Sequence, residues 1–140
     1  MDKREVREAA ILGGYGSYAI LPMLAALVPV SVSVAVVWEE VLKWLVLQKF
    51  ATGLGDESRG NLHAFLWGWT FGFGEAVLYL MNSSTAADIG VVISRLVFTA
   101  TMHGLTVLAM FVIGLRSWRA RIAGLAVAVG VHASYNLLIG

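Results

Sequence analysis

Residues 9–38 read AAILGGYGSYAILPMLAALVPVSVSVAVVW, thirty consecutive positions without an Asp, Glu, Lys or Arg. An uncharged apolar run of about 18 residues or more is typical of a helix that crosses a lipid bilayer. A single helix of this length would measure about 45 Å, whereas the hydrocarbon core of a bilayer is about 30 Å thick. We therefore expect two membrane-spanning helices in this region, separated at Pro29.

The composition of the whole chain also indicates a membrane protein. Of its 140 residues, 59% are hydrophobic and only 14% are charged, whereas soluble domains average about 25% charged residues. The net charge is +1, and the basic residues form short clusters at segment ends, so nucleic acid is not an expected partner. The absence of cysteine excludes disulfides, thiol nucleophiles and thiolate metal sites. No signal-peptide cleavage signature follows the first apolar stretch, so we expect this stretch to remain as a span.

The hydrophobic pattern predicts an all-α fold, namely one domain made of a polytopic transmembrane bundle with about five spans. We place these spans at residues 9–28, 30–50, 61–81, 89–115 and 122–139. This arrangement leaves eight basic residues outside the bilayer, all on the same side of it: Lys3, Arg4, Arg7, Lys49, Arg59, Arg116, Arg119 and Arg121. Because cytoplasmic loops carry an excess of Lys and Arg, we expect a multi-pass protein of the cell membrane with its N terminus in the cytoplasm and its C terminus outside.

A four-span arrangement is the alternative. It ends the second apolar segment near Trp38, places Glu39 and Glu40 at the membrane interface, and continues as an amphipathic surface helix. The same basic residues, with Lys43 now in a loop, then divide three against six between the two sides. The five-span arrangement fits the charge rule better, and it moves the two glutamates to the middle of the membrane.

Five spans leave a set of polar side chains within the hydrocarbon region: Glu39, Glu40, Lys43, Glu75, Arg95, His103, His132 and Asn136. Ionisable groups at this depth are costly and normally face a bundle interior or a wet cavity, which makes them candidate functional residues. Helical spacing places Glu39, Glu40 and Lys43 on one stripe. His132 and Asn136, four residues apart, share another helix face. The rise per residue puts Glu39 and His132 at a similar depth, so we expect these helices to bring their polar groups together.

In their order and spacing, these residues resemble the PrsW-type glutamate intramembrane proteases, which are relatives of the CAAX prenyl endopeptidases. Four blocks spread over residues 38–136 carry the likeness: Glu39-Glu40-Val41-Leu42-Lys43, Phe71 with Gly72-Phe73-Gly74-Glu75 through Tyr79, Arg95 followed eight residues later by His103, and His132-x-x-x-Asn136. The resemblance implies a metal-independent endopeptidase without a cofactor. Its expected partners are the lipid bilayer and a membrane-associated protein or peptide substrate.

The resemblance also implies that Glu39 or Glu40 is the base that activates water, with His103 helping to place or protonate the reacting groups. A carboxylate removed from water is a stronger base than an exposed one. His132 and Asn136 are positioned to donate hydrogen bonds to the oxyanion that develops during hydrolysis.

Three further residues are expected to support the site. Lys43 is predicted to pair with Glu39, because a Glu four residues before a Lys is a favoured helical ion pair. Glu75 is predicted to pair with Arg95 or to orient a catalytic group.

Other interpretations of the same residues stay open at this point. The charge pairs are also explained as contacts that only hold helices together. Two histidines with several glutamates suit zinc, although no His-Glu-x-x-His motif is present. Glu and His residues at the midplane also serve proton-coupled carriers or channels, and a non-catalytic protein would bind transmembrane partners through the same groove. Gly68 and Gly72, at small-xxx-small spacing, predict close packing between two helices.

Overall fold

The computed structural model describes residues 2–27, 32–54, 57–82, 89–114 and 117–139. The helices within these segments are α1 Lys3–Ala26, α2 Val32–Phe50, α3 Glu57–Asn82, α4 Ile89–Gly114 and α5 Trp118–Ile139, and a short 3₁₀ turn, Ala51–Gly53, follows α2. The described segments contain no strand, so the predicted all-α bundle is confirmed. Pro29, the predicted break between the first two helices, and Arg116 lie outside the described residues.

The first helix is fixed at its start and interrupted near its end. The backbone N–H of Asp2 donates to the Glu5 carboxylate at 2.9 Å, which satisfies one of the donors that a helix start leaves unpaired. Pro22 lies inside α1, where it removes one hydrogen bond of the helical ladder. The proline is buried against α3, where an added Cβ at Gly74 would lie 3.1 Å from its Cγ. Packing on a neighbouring helix is what makes such an interruption tolerable in lipid.

The five helices pack in a closed ring in the order α1, α2, α5, α4, α3. Contact between α3 and α4 is the most extensive in the ring, and two glycines make it possible. An added Cβ at Gly68 would lie 2.2 Å from the His103 carbonyl oxygen, and one at Gly72 would lie 2.6 Å from the Ala100 Cα. No real side chain fits at those distances, so the predicted close packing at Gly68 and Gly72 is confirmed.

The starts of α1, α3 and α5 meet the ends of α2 and α4 at one end of the bundle, which we call the basic end. The basic residues that give it this name are Arg4, Arg7, Lys49, Arg59, Arg119 and Arg121. Three contacts show that these helix termini are neighbours. An added Cβ at Gly53 would lie 2.3 Å from Ala10, Arg59 shares a cavity with Arg7, and Arg121 shares another with the end of α4.

Most of the apolar core lies in the half of the bundle nearer the basic end. Its members are Tyr18, Leu21, Leu47, Leu54, Ala64, Trp67, Phe71, Val107, Met110, Phe111 and Ala128. Trp67 is its centre, because its indole stacks on Tyr18 with ring centroids 5.9 Å apart and meets Tyr15 and Phe50 edge-on at 6.4 Å each. Aromatic pairs of this kind add about 0.5 to 1.5 kcal/mol each beyond the area they bury. The core therefore stabilises this part of the bundle, and a cavity of about 230 Å³ borders it at Leu47, Met110 and Phe111.

Three helical segments are long and apolar enough to cross a membrane: Lys3–Ala26, Val92–Gly114 and Trp118–Leu138. By contrast, α2 holds four charged residues among its 19: Glu39, Glu40, Lys43 and Lys49. Large apolar side chains are nevertheless exposed on every helix, for example Leu12, Leu45, Phe73, Phe98 and Val127. An apolar exterior around a polar interior is the arrangement that a lipid solvent favours. The chain is therefore a membrane-embedded helical protein.

Candidate functional site

Six ionisable side chains from α2, α3, α4 and α5 meet inside the bundle, and we call them the polar cluster. They are Glu39, Glu40, Lys43, Glu75, His103 and His132. Glu40, Lys43 and His103 are fully buried, and His132 is 2% exposed. The convergence predicted from helical spacing is confirmed for these six residues, and most of the apolar core lies between them and the basic end.

Lys43 is the centre of the cluster. Its Nζ donates to Glu40 Oε1 and to His103 Nδ1, the latter at 2.7 Å, and lies 4.6 Å from the centre of the Phe71 ring. The predicted pairing of Lys43 with Glu39 is therefore wrong. Adjacent residues point about 100° apart around a helix. Glu40 shares the inward direction of Lys43, whereas Glu39 points toward a cavity described below.

The contacts of His103 determine which of its ring nitrogens carries the proton. An ammonium group has only donors, so His103 Nδ1 accepts from Lys43 and Nε2 carries the hydrogen. That Nε2–H donates to Glu75 Oε2 at 2.5 Å. Gly72 makes room for the imidazole, because an added Cβ there would lie 2.8 Å from the ring. Glu75 was predicted either to pair with Arg95 or to orient a catalytic group, and this contact agrees with the second role. The Arg95 side chain lies outside the described part of the chain.

The same reasoning applies to His132, whose Nδ1 lies 2.7 Å from Glu40 Oε1 and donates to that carboxylate. Its Nε2 therefore holds the lone pair in the neutral ring. This nitrogen lies 3.9 Å from Glu39 Oε2, a buried oxygen without a hydrogen-bond partner among the described residues. Two acceptors at this separation are satisfied together by one bridging O–H donor such as water. Glu39 and His132 thus form a site suited to a water molecule.

A cavity of about 280 Å³ reaches the cluster from the end of the bundle opposite the basic end. Both Glu39 and Glu75 line it, and the remaining wall consists mainly of small or apolar residues: Pro22, Ala25, Ala26, Ala35, Phe71 and Leu78. The volume approaches that of small ligand pockets, which begin at about 300 Å³. A second space of about 40 Å³ adjoins Glu75 beside Thr99. The two glutamates therefore connect the buried cluster with the surroundings.

Asn136, the last predicted catalytic residue, lies one turn beyond His132 on α5, on the side of the cavity end. Its side chain is half-buried and forms no hydrogen bond with the described residues. The amide is consequently available as a donor. In contrast, the neutral His132 ring has one N–H, and it donates to Glu40. Of the two predicted oxyanion donors, Asn136 is therefore the one whose N–H groups can bind an oxyanion.

Tyr18 was not predicted as part of the site, yet it supports the helix that carries Lys43. Its buried hydroxyl donates to the Lys43 carbonyl oxygen at 2.7 Å. The available signal was the spacing of Ala10, Gly14 and Tyr18, each four residues apart, which forms the buried face of α1. A helix face with two small residues followed by a tyrosine indicates an inward-pointing hydroxyl, but it does not identify the acceptor of that hydroxyl.

Glu39, His103 and His132 also present potential metal ligands, with atoms within 4.8 Å of one another. Both nitrogens of His103 are already engaged, one by Lys43 at 2.7 Å and the other by Glu75 at 2.5 Å. A zinc ion bonds to a histidine nitrogen at about 2.0 to 2.1 Å through its lone pair. The lysine ammonium occupies that direction, so these three residues do not form a ready metal site in this arrangement.

Comparison of the chain with models of known protein families, with curated proteins and with solved structures found no match. The likeness to PrsW-type proteases therefore rests on the order and spacing of the residues in this chain. Function has to be argued from the geometry of the polar cluster.

Proposed function

We propose that this chain is a glutamate-type intramembrane endopeptidase, of the kind its sequence resembles, that hydrolyses peptide bonds of membrane-associated proteins or peptides. The observation that carries the proposal is the facing pair of acceptors, Glu39 Oε2 and His132 Nε2, which lie 3.9 Å apart, with Glu39 also lining a cavity. A water molecule bound between them has its protons directed at two bases. The lone pairs of its oxygen are then free to attack a substrate carbonyl that enters the cavity.

In the proposed reaction, the water oxygen bonds to the carbonyl carbon while Glu39 takes one water proton. The tetrahedral intermediate carries its negative charge on the former carbonyl oxygen, where the Asn136 amide donates a hydrogen bond. The C–N bond then breaks, and the protonated Glu39 returns its proton to the leaving amine. The products are one carboxyl terminus and one amino terminus, and Glu39 is ready for another cycle. This assigns the base to Glu39.

Glu40 has a different role in this proposal, because its Oε1 accepts from both Lys43 and His132. It fixes the proton of His132 on Nδ1 and thereby aims the Nε2 lone pair at the water. A buried carboxylate holds the histidine of a catalytic triad in the same way. Lys43 balances the charge of Glu40, and His103 with Glu75 holds Lys43 in place. These are positioning residues.

The proposed membrane arrangement has five spans with the basic end in the cytoplasm. It is supported by the meeting of the helix termini that carry Arg4, Arg7, Lys49, Arg59 and Arg121 at one end of the bundle. The positive-inside rule places such an end in the cytoplasm. The cavity at Glu39 then opens toward the outside, so the substrate bond lies in the outer half of the membrane.

One observation favours a second function, a proton carrier. Hydrogen bonds run without a break from Glu75 through His103, Lys43 and Glu40 to His132, as in a proton relay. However, Glu75 at one end of this series lines the same cavity as Glu39, whose Oε2 lies 3.9 Å from His132 at the other end. Among the described residues, the cavities at the basic end have no member of the polar cluster in their lining. This arrangement favours hydrolysis over transport.

The test uses the purified full chain in liposomes with a pool of single-span membrane peptides in H₂¹⁸O. Hydrolysis leaves ¹⁸O in each new terminal carboxylate, which mass spectrometry identifies together with the cut site. Glu39→Gln should abolish the labelled products. Glu5→Gln is the matched control, since a glutamine there still offers an oxygen to the Asp2 N–H. If Glu39→Gln yields the same labelled peptides as the parent chain, the proposal fails.

The same liposomes distinguish the carrier. A pH-sensitive dye inside them should report no proton uptake beyond that of protein-free liposomes. Uptake that Glu39→Gln or Glu75→Gln abolishes, without labelled peptides, would establish the carrier instead. A chelator should leave cleavage unchanged if no metal takes part.

A further inference from the structure

A second cavity, of about 450 Å³, lies at the basic end, on the far side of the apolar core from the polar cluster. The starts of α1 and α3 form it, and its lining consists of Arg4, Arg7, Glu8, Ile11, Arg59 and His63. Among the described lining residues three arginines accompany one glutamate, an excess of two positive charges with the histidine neutral. The proposed hydrolysis uses none of these residues.

Two of the three guanidinium groups are available to a ligand. Arg4 Nε donates to Glu8 Oε1 at 2.8 Å, which neutralises the only acidic residue in the lining. Arg7 and Arg59 form no ion pair within the described part of the chain. A guanidinium presents paired N–H donors whose spacing matches two oxygens of a phosphate group. The free arginines therefore predict a phosphate ligand.

His63 adds a donor whose position is fixed by the core. Its Nδ1 lies 3.3 Å from the Tyr15 hydroxyl, and the two rings meet edge-on with centroids 6.1 Å apart. Tyr15 in turn contacts Trp67. When the hydroxyl donates to Nδ1, the Nε2–H of the histidine remains for a ligand in the cavity.

The position of the cavity along the helices indicates where its ligand resides. The predicted spans begin at residues 9 and 61, so Arg7 and Arg59 precede the hydrocarbon region, whereas Ile11 and His63 lie within its first turn. In the proposed membrane arrangement the cavity therefore lies at the level of the lipid headgroups, with the apolar Ile11 side chain in its lining. Basic pockets between transmembrane helices at the cytoplasmic surface are typical sites for anionic lipid headgroups.

We propose that this cavity binds the phosphate group of an anionic phospholipid, held by Arg7 and Arg59 with His63 as a third donor. The proposal is independent of peptide hydrolysis, because binding is measured without any substrate.

The experiment measures binding of phosphatidylglycerol to the purified full chain by native mass spectrometry, with phosphatidylcholine for comparison. Replacing both arginines, Arg7→Gln with Arg59→Gln, should weaken phosphatidylglycerol binding about tenfold or more, since a lost charged hydrogen bond corresponds to about that factor. Arg119→Gln is the matched control, because Arg119 is exposed at the same end but does not line the cavity. This variant should bind the lipid as the parent chain does. If the double variant does not fold, Arg59→Gln alone, at an exposed position, replaces it.

A second arm replaces the lipid by inorganic phosphate and follows the thermal unfolding of the chain. Stabilisation by phosphatidylglycerol but not by millimolar phosphate, lost in the double variant, supports the proposal. Equal stabilisation by inorganic phosphate would keep the anion site and overturn its assignment to a lipid. Equal phosphatidylglycerol binding by the parent, the double variant and Arg119→Gln would overturn the site altogether.

Discussion

The interior of this bundle consists of two halves that are stabilised in different ways. Toward the basic end, Trp67 packs among Tyr15, Tyr18 and Phe50, and stability comes from shape and dispersion. In the other half, the buried contacts are charged hydrogen bonds centred on Lys43. Losing one dispersion contact lowers the stability only slightly, whereas removing the partner of one buried charge lowers it strongly. Mutations in the two halves should therefore differ in how they change stability and activity.

Glu39→Gln should produce the largest effect, and it should affect activity alone. Loss of a general base lowers rates by about 10² to 10⁴-fold. Stability should be unchanged or higher, because a glutamine amide can donate to His132 Nε2, 3.9 Å away in the parent. Cleavage assays and thermal unfolding in detergent measure the two quantities. A loss of stability comparable to the loss of activity would mean that Glu39 is structural.

Lys43→Met should give the opposite result, a large loss of stability. It leaves Glu40 as a buried charge without its cation, which costs about 3 to 5 kcal/mol when one partner of a buried pair is removed. Adding Glu40→Gln removes that charge and should restore most of the loss. Unfolding free energies of the parent chain, the two single variants and the double variant form the necessary cycle. A double variant less stable than Lys43→Met would contradict the comparison.

Gly72→Ala tests the boundary between the halves. The added methyl group would lie 2.6 Å from Ala100 Cα and 2.8 Å from His103. Forced overpacking costs about 1 to 3 kcal/mol, and the shift of the imidazole should reduce cleavage as well. Gly16→Ala is the control, because an added Cβ there has no atom within 4 Å. Equal behaviour of the two variants in unfolding would show that α3 and α4 are not closely packed.

Tyr18→Phe should have the smallest effect. It removes the 2.7 Å hydrogen bond to the Lys43 carbonyl oxygen but keeps the ring that stacks on Trp67. A single hydrogen bond contributes about 0.5 to 1.5 kcal/mol. Thermal unfolding should show this modest loss, with cleavage nearly retained. A loss above that of Gly72→Ala would place Tyr18 within the polar half.

Sequence reasoning predicted the helices and the meeting of the polar residues, because both follow from periodicity and from the cost of charge in hydrocarbon. It did not predict which partner each residue takes. Lys43 was assigned to Glu39 by the isolated-helix preference, but His103 and His132 on other helices fix it beside Glu40. Such rotations depend on tertiary packing, which spacing along one helix does not contain. The protease assignment and the membrane orientation stay predictions.

The cavity at Glu39 has a further consequence for how the protein exchanges protons. Glu39 and Glu75 both line this cavity, whereas the cavities at the basic end have no residue of the polar cluster in their described lining. In the proposed membrane arrangement this cavity opens toward the outside, so the protonation of Glu39 and Glu75 should follow the acidity on that side of the membrane.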